Sequence, residues 1–95
     1  MIDKKTALVT GASSGMGKAI AKRLLVDGYR VYVAARQVEK MEDLVRLGAT
    51  PLRMDISREG EIKAAVETIL AEVGTIDVLV NNAGFGLYGP VEEIG

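Results

Sequence analysis

The chain has 95 residues, 48% of them hydrophobic and 26% charged, with a net charge of −1 and neither cysteine nor histidine. That length fits one domain at most, and the charge balance argues against a nucleic acid or an anionic membrane surface as partner. Disulfides, thiolate catalysis and Cys-ligated metals are excluded, and the commonest general base and metal ligand are missing, so no metal site is expected. The start, Met1-Ile2-Asp3-Lys4-Lys5, has no signal-peptide pattern, and no apolar run approaches the length of a membrane span. A cytoplasmic protein is the expectation.

Thr6 to Thr10 reads as a first strand, followed by Gly11-Ala12-Ser13-Ser14-Gly15-Met16-Gly17. A helix is expected from Gly15 to Asp27, with Met16, Ile20 and Leu24 on one face and Gly28 as its C-terminal stop. Val31 to Ala35 is the second strand. Val38, Met41 and Val45 mark a shorter helix that Gly48 closes. Leu52-Arg53-Met54 is a third strand, and Pro51 beside it is tolerable at a strand start or on a sheet edge.

Ile62, Val66, Ile69 and Val73 repeat at helical spacing, with Ser57 as N-cap and Gly74 as stop. Ile76 to Val80 is the fourth strand, and Pro90 is expected to open a further helix. Strand-helix alternation with short connections predicts an α/β fold with a parallel sheet. Continuous apolar runs such as Val78-Leu79-Val80 suit strands covered on both faces. The order expected is that of the first half of a doubly wound, Rossmann-type three-layer fold: four strands, 3-2-1-4, with the Pro51 strand at the outer edge.

A strand, a glycine-rich turn and a helix start, in that order, make a place for a pyrophosphate. Backbone N–H groups at the helix start have no intrahelical partner, and the helix dipole adds positive charge there. Gly11 can take the tight turn, Gly15 has no Cβ to hold a phosphate away, and Gly17 lets the helix approach the sheet. The bland alternative is a tight turn that binds nothing. A P-loop is the chemical rival and its spacing fails: the first glycine would fall at Ala12, and Ala19 follows Lys18 where Ser or Thr is needed. Lys18 then reads as a solvated helix residue.

The spacing T-G-x-x-x-G-x-G, with Asp55 after the third strand and Asn81-Asn82-Ala83-Gly84 after the fourth, resembles the short-chain dehydrogenase/reductase family across essentially the entire chain. The resemblance implies that Ser13, Ser14 and Met16 line a phosphate loop. It also implies that Asp55 accepts a hydrogen bond from an adenine amino group, with Ile56 against the ring. Asn82, Ala83 and Gly84 would meet the adenosine ribose, and Asn81 would hold adjacent strands through its amide. The bland alternative for Asp55 is a turn or pre-helix residue ahead of a capping serine.

The cofactor form follows from the end of the second strand. A site for NAD carries Asp or Glu there, about 20 residues after the glycines, to bind the ribose 2′-OH. Here the sequence is Ala34-Ala35-Arg36. Arg36 can pair with a 2′-phosphate that a carboxylate would repel, and Ser13 can add a hydroxyl donor, so NADP(H) is the nicotinamide dinucleotide expected. The alternative for Arg36 is a solvated loop charge.

Family catalysis depends on Tyr-x-x-x-Lys with an upstream serine. The tyrosines are Tyr29, Tyr32 and Tyr88, and four residues beyond them stand Val33, Arg36 and Glu92. No catalytic residue is therefore assigned. The expectation is that residues 1–95 are the N-terminal, nucleotide-binding part of one dinucleotide-binding domain, truncated before its C-terminal half. The parent reaction implied is NADP-dependent interconversion of a carbonyl and an alcohol. Two other readings stay open: a short non-catalytic NADP-binding or interaction module, or a nucleotide fold with another adenosine ligand or none. An open fourth-strand edge is expected to favour self-association or a homo-oligomer.

Overall fold

In the computed structural model, residues 4–13, 15–55, 59–81 and 91–93 are described. The elements are β1 (Thr6–Thr10), α1 (Gly15–Val26), β2 (Arg30–Ala35), a 3₁₀ turn (Val38–Met41) running into α2 (Glu42–Arg46), β3 (Thr50–Arg53), α3 (Glu59–Val73), β4 (Val78–Asn81) and β5 (Val91–Glu93). Among the described residues the strands form one sheet in the order β3-β2-β1-β4-β5. The first four are parallel, in the 3-2-1-4 arrangement that the strand-helix alternation predicts. Pro51 sits on the outer edge strand opposite Val33, where its missing N–H costs no interior ladder bond.

Why the strands are apolar throughout follows from the two cores. Ala7, Val9, Val31, Val33, Val78 and Val80 point to one face and pack with Ala21, Met41 and Leu44. Leu8, Tyr32 and Ala34 alternate to the other face and pack with Ala65, Ile69 and Ile76. The sheet is thus the middle of three layers, with α1 and α2 on one side and α3 on the other. Each fully buried large aliphatic, such as Leu8 or Ile69, contributes about 1.5–3 kcal/mol of transfer free energy.

The helices differ from expectation in which residues they bury. Met16 is 64% exposed, while Gly17 and Ala21 are buried and Ile20, Leu24 and Leu25 pack beside them. The helix approaches the sheet through its smallest side chains, which rotates the buried stripe away from Met16. In the second helical segment Leu44 is fully buried and Val45 is on the surface. Val38, Met41 and Leu44 recur every three residues, the period of the 3₁₀ turn that opens the segment. Both segments end in the same way. Gly28 and Gly48 have φ of +92° and +113°. The N–H of Tyr29 reaches Leu24 O, and that of Ala49 reaches Leu44 O, each at 3.0 Å. This is the Schellman stop, which glycine enters without a Cβ penalty.

Helix α3 carries its stripe as expected, with Ile69 buried, Ile62, Val66 and Val73 half-buried, and Gly74 N–H bonded to Leu70 O at 2.8 Å. Its expected cap, Ser57, lies outside the described residues. One expectation is corrected. The segment after Pro90 is a strand, not a helix: Val91–Glu93 pairs antiparallel with β4 in the register Val78↔Glu93 to Val80↔Val91. Strand β4 is therefore not the open edge. A three-residue segment gains little as an isolated helical turn, whereas pairing satisfies the outward backbone groups of β4.

Candidate functional site

In a parallel sheet these strands end on the same rim, where Arg53 pairs with Ala35, and Thr10 stands between Ala34 and Asn81. Helices leave that rim to opposite faces on either side of β1, which makes it the switch point where open α/β sheets bind ligands. The turn out of β1 is pinned to its neighbour: Gly11 N–H and Ala12 N–H both donate to Ala34 O, at 2.9 and 3.4 Å. Thr10 Oγ1 donates to Val80 O at 3.3 Å on the other side. The loop therefore starts from a backbone held by both adjacent strands.

Gly15 opens α1 with φ +57°, and a Cβ built there would meet nothing within 4 Å. It points into open space at a helix N-terminus. No acidic residue stands in the first turn of α1 to compensate the helix dipole. Free N–H groups, positive potential and missing side-chain bulk are what a pyrophosphate needs, so the loop fits the group. Ser13 is half-buried, Met16 is exposed beside the loop, and Gly17 is buried beneath it.

Next to this loop, beyond the ends of β2 and β3, lies a cavity of about 450 Å³ lined by Arg36, Arg53, Met54, Asp55 and Glu61. Met54 N–H, just beyond β3, donates to Ala35 O at 3.1 Å. Asp55 follows it, and its N–H donates to Glu61 Oε1 at 2.7 Å. Arg36 comes directly after the carbonyl that Met54 uses, which is why Arg36 and Asp55 share one cavity though 19 positions apart in the chain. A second cavity of about 330 Å³, between β3 and α3, shares Arg53, Met54 and Glu61 and is otherwise lined by Leu52, Ala64, Ala65 and Thr68.

Of the expected site residues, Arg36 and Asp55 are brought together in the cavity. Gly11, Ser13, Gly15, Met16 and Gly17 form the adjoining turn and helix start. Ser14, Ile56, Asn82, Ala83 and Gly84 lie outside the described residues. Arg53 and Glu61 are additions. Arg53 was detectable only through register, because it faces Ala35 once β3 pairs with β2. Glu61 carries no sequence signal: it is four residues from Ser57, where a capping box needs three.

Two neighbouring residues make contacts that the sequence pattern does not announce. Lys18 is not simply solvated. Its Nζ lies 3.1 Å from Asp43 Oδ1 and donates to Lys40 O at 3.0 Å, tying α1 to the segment after β2. The Lys18 hydrogen bond, with smaller help from the Lys18 charge, the Leu44 N–H and Lys22, holds the Asp43 carboxyl below its ordinary range against a modest desolvation penalty. Tyr32, four residues before Arg36, is 4% exposed beneath α3 and donates to Glu72 Oε1 at 2.9 Å. Burial, then the Glu72 hydrogen bond and charge, push its phenol above its ordinary value. It is a packing residue on the face away from the loop helix.

The sequence pattern of the short chain dehydrogenase family matches residues 5–95. The chain belongs to the short-chain dehydrogenase family. Among curated relatives, a putative ketoacyl reductase of granaticin polyketide synthesis from Streptomyces violaceoruber is 47% identical over 81 residues, covering 82% of this chain and 32% of its own. Among solved structures, an actinorhodin polyketide ketoreductase with NADPH is 43% identical with a TM-score of 0.77, covering 86% of this chain and 34% of its own. A 3-ketoacyl-(acyl-carrier-protein) reductase from Brucella melitensis complexed with NADH is 40% identical with the same TM-score of 0.77, covering 90% and 36%. The chain thus spans about a third of the length of the proteins it matches. Among the described residues no helix is long and apolar enough to cross a membrane, and no cluster of potential metal ligands occurs.

Proposed function

We propose that this chain is the NADP(H)-binding portion of a short-chain oxidoreductase that interconverts a carbonyl and an alcohol by hydride transfer, with catalytic residues outside residues 1–95. Structural relatives hold NADPH in one case and NADH in another, so family membership alone does not select the cofactor. The observation that carries the reading is Arg36 at the end of β2, lining a cavity with a second guanidinium, Arg53, where an NAD site would present an acid. A planar guanidinium matches a phosphate dianion in shape and charge.

In this reading Gly11, Ser13, Ser14, Gly15, Met16 and Gly17 hold the pyrophosphate. Arg36 with Ser13 receives the 2′-phosphate, Asp55 accepts from the adenine amino group, and Ile56 lies against the ring. Asn82, Ala83 and Gly84 meet the adenosine ribose. When bound, the nicotinamide would supply a hydride donor or acceptor; what residues 1–95 do is bind and orient its adenosine half. We further place the protein in the cytoplasm, as the first part of a single dinucleotide-binding domain, and expect it to self-associate or form a homo-oligomer.

The test is a fluorescence titration of both cofactors against the Arg36→Ala variant. NADPH binding is expected to weaken by about 1.5–3 kcal/mol, with NADH nearly unchanged. Equal losses for the two cofactors would reject the assignment of Arg36 to the 2′-phosphate.

A further inference from the structure

Asp55 stands where the chain leaves the sheet. Met54 N–H bonds β2 through Ala35 O at 3.1 Å, and the next N–H along the chain is that of Asp55. It is taken by the carboxylate of Glu61, reaching back from the start of α3, at 2.7 Å in a part-buried setting. Short bonds from a backbone N–H to an ionised carboxylate are about twice as strong as neutral ones. Both residues line the same cavity as Arg36 and Arg53.

We propose that Glu61 is a positioning residue for base recognition: by holding the Asp55 backbone it sets where the Asp55 carboxylate meets an adenine amino group. This rests on the reading that Asp55 receives that amino group. Glu61 itself need not touch the nucleotide. Its side chain joins the last residue of the sheet rim to the first turn of α3. The direction in which Asp55 leaves the rim therefore depends on Glu61 remaining an acceptor at that length.

The role predicts a selective signature. Binding of NADPH is compared with that of its reduced hypoxanthine analogue, in which a carbonyl replaces the adenine amino group. The wild-type protein is expected to prefer NADPH by about five- to tenfold, the worth of one hydrogen bond. Asp55→Ala removes that preference if Asp55 reads the amino group. Glu61→Ala is expected to remove it as well, and Glu61→Gln, which keeps an acceptor oxygen at the same length, to retain it. Glu61→Asp keeps the charge but is one methylene shorter, and should lose the preference even if Glu61→Ala does not fold. A preference intact in Asp55→Ala overturns the reading of Asp55, and the proposal with it. A preference lost in Asp55→Ala but intact in Glu61→Ala or Glu61→Asp overturns the proposal alone, as does equal weakening of both cofactors.

Discussion

Thr6 has a buried hydroxyl, Oγ1, with no hydrogen-bond partner among the described residues. Its backbone is well held, since Thr6 N–H donates to Asp77 Oδ2 at 2.7 Å and Asp77 N–H donates to Thr6 O at 2.8 Å. Only the side-chain oxygen is left without compensation for lost water. Thr6→Val keeps the branched shape and removes that oxygen, so it is expected to stabilise the fold by about 1 kcal/mol in urea unfolding. A destabilised variant would mean that the hydroxyl has a partner after all. Arg36 is the residue-scale counterpart at the rim: an exposed charge with a chemical reason for its place. On the proposed reading, identity at that one position separates a 2′-phosphate site from a 2′-hydroxyl site.

Elements are joined by side chains whose partners are far away in sequence. Lys18 on α1 meets Asp43 on α2, and this contact depresses the Asp43 pKa from 3.8. Because the folded value lies below the unfolded one, the contact stabilises above the unfolded pKa, and that contribution disappears as pH falls through the folded pKa. Lys18→Met is therefore expected to lower the urea midpoint at neutral pH. Wild type and variant should converge at pH values well below 3.8. The pair is solvent-accessible, so added salt should shrink the difference too. On the opposite face Tyr32 bonds β2 to α3 through Glu72, and its pKa is raised above 10.0. The sign is reversed here: stability from this bond is fully present below the unfolded pKa and is lost as pH rises through the folded one. Tyr32→Phe should cost about 1 kcal/mol at neutral pH, with the gap to wild type narrowing in alkaline melts. A gap that widened with pH would contradict the assignment.

For the whole molecule, covering β4 with β5 moves the open edge outward without abolishing it. Strand β5 contributes only Val91–Glu93 on that side, and β3 is the other edge. Val26 is 81% exposed and Leu47 57% exposed, at the ends of α1 and α2, and Leu70 lies on the surface of α3. Residues 1–95 alone are expected to sediment as more than a monomer, with loss of cooperative melting on dilution. A monodisperse, cooperatively unfolding monomer in sedimentation velocity would count against association.

The strand-helix alternation, the parallel 3-2-1-4 order and the loop at the end of β1 were legible from the amino acids alone. Each depends on local periodicity, on glycine at a turn, or on rules of connection that hold for any parallel sheet. Arg36 could be read for the same reason, as a residue type at a set distance from the glycines. Met16 and Val45 were misplaced because a helical stripe has a width but no marked centre. Its orientation depends on how closely Gly17 and Ala21 let the helix approach and on the 3₁₀ turn before Leu44. Val91–Glu93 became a strand because an open ladder on β4 was available to it, which nothing within three residues announces. Arg53 and Glu61 entered the cavity through pairing register and one long-range hydrogen bond. Sequence by itself determined the scaffold and the kind of ligand end it suits, since those follow from short-range pattern. Tertiary structure alone decided which charges meet at the rim, since that is a property of distances between residues the chain order keeps apart.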